Sequence, residues 1–111
     1  MTYPFTPVGN TALVTYADDS SDIRVSTVGA NAIMVYNPDA ANVIAVGTGL
    51  TSGDVDAVVP TSGFNGEGCI VAPGATQIIR IPQAQYAAGN IFVCVAGASG
   101  TGSVFITPGL V

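Results

Sequence analysis

Two cysteines, two short acidic clusters and one glutamate are the side chains with which this sequence could do chemistry. Cys69 and Cys94 lie in the apolar runs 68–72 and 91–97. Thiols so placed read first as small buried hydrophobes. A disulfide between them stays open, because spacing alone does not give the Cα separation it needs. A catalytic thiol requires a base, and the chain has no His. Asp18-Asp19-Ser20-Ser21-Asp22 and Asp54-Val55-Asp56 lack the terminal Glu and the spacing of a calcium loop, so they read as solvated turns. Glu67 and the aspartates could in principle form a glycosidase pair, but there is no Trp platform for a sugar ring. The glycine-containing loops carry no phosphate-binding fingerprint and read as tight turns.

The missing residue types exclude more. Without His there is no imidazole base, no Ser-His or Cys-His pair and no His-liganded zinc. Without Lys there is no Schiff base and no P-loop lysine. Arg24 and Arg80 are the only basic side chains against seven acids, for a formal charge of −5. Binding to nucleic acid or to an anionic membrane draws on many Lys and Arg contacts, so neither is an expected partner. The sequence also contains no apolar run near the length of a spanning helix. Met1-Thr2-Tyr3-Pro4-Phe5 has no basic stretch leading into an apolar one, as a secretory signal requires. No catalytic residue, cofactor site or metal site is expected.

The elements that must carry these residues are strands. Val, Ile and Thr are abundant, Gly and Pro number 14 and 7, and short branched runs recur between turn signals. The runs fall at 11–17, 22–28, 31–37, 43–47, 55–59, 68–72, 76–81, 91–97 and 102–107. About eight strands in 111 residues predict an all-β fold, a single antiparallel β-sandwich or jelly-roll-like domain. Gly29-Ala30 suits a type II′ hairpin, Pro73-Gly74 a type II turn, and Asn37-Pro38-Asp39 a strand stop. Ser99-Gly100-Thr101-Gly102 is expected to close a last hairpin. Residues 83–88 predict one helical turn, and residues 47–68 a long loop with one edge strand.

Alternation along the strands bears on function. Ile23, Val25 and Thr27 alternate with Asp22, Arg24 and Ser26, as a strand with one wet face should. The run 31–37 places Ile33 and Val35 on one face and Ala32, Met34 and Tyr36 on the other, and 43–46 and 91–96 are apolar on both faces. With no helices to cover the second face, another protein surface is the expected cover. Residues 81–111 contain no charged side chain. Residues 1–9 read as an extended, Pro-stiffened arm preceding a sandwich domain at 10–111. Tyr3, Pro4, Phe5, Pro7 and Val8, with Leu110 and Val111 at the other terminus, are the expected protein-interaction residues. Phe64, in the 47–68 loop, joins that set.

Asn31-Ala32-Ile33-Met34-Val35-Tyr36-Asn37, Val71-Ala72-Pro73-Gly74 and Gly102-Ser103-Val104-Phe105-Ile106-Thr107-Pro108-Gly109 resemble the small β-sandwich capsid decoration (cement) proteins of tailed bacteriophages. The similarity covers about the last two-thirds of the chain. It implies a non-enzymatic virion protein, made in the host cytoplasm, that binds the major capsid protein on the outer surface of the shell and stabilises it. Such proteins often act as homo-oligomers, dimers or trimers. Two other expectations stand beside it: a fibre, spike or adhesin module that recognises a host glycan or protein through its loops, and another head or tail component.

Overall fold

A computed structural model describes residues 5–16, 21–51, 57, 59, 68–97 and 101–111. Nine strands and one helical turn follow in order: β1 (Thr6–Pro7), β2 (Ala12–Tyr16), β3 (Ser21–Ser26), β4 (Ala32–Tyr36), β5 (Ile44–Gly49), β6 (Cys69–Val71), β7 (Thr76–Arg80), α1 (Gln83–Tyr86), β8 (Asn90–Gly97) and β9 (Gly102–Leu110). All pairings are antiparallel. One sheet runs β2-β9-β4-β7, with β1 extending the β2 side of β9. The other runs β3-β8-β5-β6. Eight strands wound in this order across two sheets make a jelly roll, the fold class that the strand spacing predicts.

The two inner faces close on a branched aliphatic core. Val14, Ile33, Val35, Val104 and Ile106 come from one sheet, and Val25, Ile44, Val46, Val71, Ile91, Val93 and Val95 from the other. Tyr16 ends the layer, its ring lying against the backbones of Gly97 and Gly102, where a Cβ on either glycine would overlap it. The side chain of β3 residue Arg24 is exposed and that of Val25 buried, as alternation requires.

The turns form where the sequence places them, but they join different partners. Pro73-Gly74 is the expected type II turn, with Gly74 at φ +70° and the Ala75 N–H on the Ala72 carbonyl at 3.1 Å. It carries the chain from one sheet to the other. The Gly29-Ala30 hairpin is corrected: the turn is Thr27-Val28-Gly29-Ala30, closed by Ala30 N–H to Thr27 C=O at 3.0 Å, with Gly29 at φ +79° in the second central position. It links β3 and β4, which lie in opposite sheets. The last hairpin is corrected for the same reason, since β8 and β9 also lie in opposite sheets; residues 99 and 100 are outside the described ones. Of the strand expected at 55–59, only Ala57 and Val59 are described, and neither is in a strand.

One polar knot holds the β4–β5 corner. Asn37 is fully buried, and its Nδ2 donates to the Asn42 carbonyl at 2.9 Å, with longer contacts to the Ala72 and Val71 carbonyls at 3.3 and 3.4 Å. Its Oδ1 accepts from Asp39 N–H at 3.2 Å. Asp39 Oδ1 in turn accepts from the N–H groups of Ala41 and Asn42 at 2.8 and 2.9 Å. These two backbone donors hold the Asp39 carboxyl below its ordinary value near 3.8.

Asn37→Ala strands buried carbonyls and is expected to cost about 1–3 kcal/mol, read as a lower urea midpoint. Because the folded-state pKa of Asp39 is depressed, its stabilisation is complete above the unfolded value and is lost as pH falls through the folded one. The difference between the urea midpoints of wild type and Asp39→Ala should therefore be full at about pH 7 and narrow as pH falls through the folded-state value, below the ordinary carboxylate range. Gly97→Ala overpacks the Tyr16 ring and should destabilise by about 1–3 kcal/mol in the same assay.

Candidate docking surface

The two outer faces of the sandwich differ. On the β3-β8-β5-β6 sheet, Ala45, Gly47, Cys94 and Ala96 form a shallow floor of small side chains. Ala57, itself buried, and Val59 lie on this floor and pack with Ala45, Phe92, Cys94 and Ala96. Part of the second face of 43–46 and 91–96, for which another protein surface is the expected cover, is covered by Ala57 and Val59 of the chain's own β5–β6 connection. Gly68 returns the chain to β6 at φ +98°, so close to the Val46 carbonyl that any Cβ would clash.

The outer face of the β2-β9-β4-β7 sheet has no such cover among the described residues. Leu13, Phe105 and Tyr36 stand opposite one another across three strands. They are 57%, 40% and 40% exposed, and the Tyr36 and Phe105 rings stack with centroids 6.2 Å apart and planes 19° from parallel. Met34 and Ile78, half-buried, face each other in the next row. None of the four strands holds an acid, and Arg80 at the far end of β7 is their only charge. The result is an aromatic and aliphatic patch on a rigid sheet, able to bury apolar area against a partner but equipped with no general base or nucleophile.

The expected terminal anchors lie elsewhere. The Phe5 ring covers Gly109, and Ala32, opposite Gly109 on that face, is fully buried. Pro7 pairs with Gly109, and Thr6 with Leu110, so this part of the expected arm is a strand of its own sheet. Val8 N–H donates to the Pro108 carbonyl at 2.8 Å, and Val111 N–H to Asn31 Oδ1 at 2.9 Å. Leu110 and Val111 remain exposed, Leu110 beside an uncharged pit of about 480 Å³ lined also by Val28, Ala87 and Gly89. Tyr3, Pro4 and Phe64 lie outside the described residues. Leu13 and Phe105 were not among the expected interaction residues, although each is the large apolar exception on a face otherwise shared with Thr15 or with Ser103 and Thr107.

Nothing else among the described residues gathers reactive groups. No cluster of three or more His, Cys, Asp or Glu could hold a metal. Burial, and secondarily the charge of Asp39, push the Tyr16 phenol up, so it stays protonated. Cys69 faces inward with Val46 and is partly exposed, whereas Cys94 faces outward beneath Ala57 and Val59. Opposite faces of one sheet keep the two thiols from joining, which removes the disulfide alternative.

No protein-family model and no curated protein matches the chain.

Under native conditions iodoacetamide should modify Cys69 and spare Cys94, with both modified in denaturant; intact-mass and peptide mass spectrometry read the difference. Mild oxidation should give no intramolecular disulfide.

Proposed function

We propose that this chain is a non-enzymatic structural protein that docks through the outer face of its β2-β9-β4-β7 sheet, and that its partner is the major capsid protein on the outer surface of a phage shell. The row Leu13–Phe105–Tyr36 carries the reading. Exposed aromatic and aliphatic side chains on a stiff sheet lose little conformational entropy when a partner buries them. The surrounding strands are uncharged apart from Arg80, so a partner meets no charge to desolvate on most of the face. The jelly-roll framework, the resemblance of the β4, β6–β7 and β9 segments to cement proteins, and the lack of clustered reactive groups among the described residues support the same reading.

Ala57 and Val59 lie on the opposite sheet and give it the flat apolar flank that cement, rather than loop-based recognition, calls for. Many weak copies add up on a shell, since each contact gains about 25 cal/mol per Å² of apolar surface buried and the contact is repeated across the lattice.

Purified protein mixed with undecorated expanded capsids should co-sediment with them and raise the temperature at which they lose their contents. Phe105→Ser and Leu13→Ser, both at exposed positions, should keep the fold and its melting temperature within a few degrees while weakening capsid binding at least about tenfold. Wild-type protein that neither binds nor protects capsids would refute the reading.

A further inference from the structure

The five edge strands among the described residues are not equally protected. β1 has two residues, one of them Pro7. β6 has three residues. β3 carries Arg24, and β7 ends in Arg80 and exposes Thr76 and Gln77. Short strands and charged side chains are the ordinary means of keeping a sheet edge from pairing with another chain. β2, Ala12-Leu13-Val14-Thr15-Tyr16, has none of them: five residues in unbroken register with β9, with no charge, Pro or Gly. Among the described residues, no backbone hydrogen bond reaches the side of β2 that faces away from β9. A cleft of about 430 Å³ lies between Ala12, at the start of β2, and Arg24–Ser26 of the other sheet.

We infer that β2 is a self-association edge, pairing antiparallel with β2 of a second copy about a two-fold axis. Water can satisfy a row of edge N–H and C=O groups, but the protein partner that matches them group for group is another extended strand with a bare edge. This chain carries such a strand in β2 itself. Antiparallel pairing of identical strands satisfies both edges at once and closes the assembly at two. With the axis at Val14, Leu13 meets Thr15 of the second copy on the outer face and Ala12 meets Tyr16 on the inner one.

Charge favours the same occupant. A chain of net charge −5 repels its copy over most approaches, yet none of its acids lies in β2, β4, β7 or β9. Joining two β2 edges fuses the two bare outer faces into one continuous surface. A five-residue ladder buries less than the ~800 Å² per partner of a standard interface, so the dimer should be reversible and concentration-dependent. The pairing does not depend on what the outer face docks against, and its test needs no capsid.

Sedimentation velocity from about 5 to about 500 µM should show wild-type protein passing from monomer to dimer. Hydrogen exchange of the 12–16 amides should slow over the same range. Thr15→Lys, at an exposed edge position, should shift the dissociation constant upward at least about tenfold, while Thr15→Ser should leave it near the wild-type value. Circular dichroism and melting temperature confirm that both variants fold. A wild-type chain that stays monomeric throughout, or a dimer that Thr15→Lys leaves unchanged, overturns the inference.

Discussion

Ile33, Val35, Val104 and Ile106 of one sheet meet Ile44, Val46, Ile91, Val93 and Val95 of the other, and keeping that layer dry constrains the whole chain. Every strand must turn branched side chains inward at alternate positions and satisfy its backbone within a ladder. The described core holds no charge, and its buried polar residues, Thr27 and Asn37, both sit where the chain leaves one sheet for the other. There a polar side chain can work as a corner fitting. Asn37 does so by tying the end of β4 to the start of β5 and to the end of β6 through three carbonyls.

Once the inner layer is closed, the outer faces are free to differ. Small residues on β5 and β8 let Ala57 and Val59 of the β5–β6 connection pack over one of them, and Phe5 caps Gly109 at one corner of the other. Among the described residues, what is left bare is the middle of the β2-β9-β4-β7 sheet, where large side chains project. The low charge of the sequence therefore falls on two different surfaces. On one sheet Ala57 and Val59 pack over part of the apolar face; on the other, Leu13, Tyr36 and Phe105 stay exposed.

Much of this was legible in the residues. Strand positions followed from branched runs between turn signals, and the inward and outward sets on β3 and β4 followed from alternation alone. Pro73-Gly74 announced its turn type, because Pro presets one φ and Gly accepts the other. The destinations of the turns were not legible. A Gly-containing turn looks alike whether its strands pair with each other or enter opposite sheets, so the links after Val28 and Gly97 were read as hairpins. The cover over Cys94 was equally hidden, since nothing local to residue 57 shows that it will lie on β5 and β8. The apolar termini have the local character of anchors, whereas Leu13 and Phe105 look like ordinary members of alternating strands.

The sequence by itself determined an all-β chain with a dry core, a low content of charge, and no His or Lys. These follow from composition and from period-two patterns among neighbouring residues. The tertiary structure decided which strands share a sheet, where Ala57 and Val59 pack, and that Leu13, Tyr36 and Phe105 form one patch. Those three residues are far apart in the chain and share a surface only because β9 pairs with β2 on one side and β4 on the other. That pairing depends on closing the whole sandwich, which no local pattern encodes.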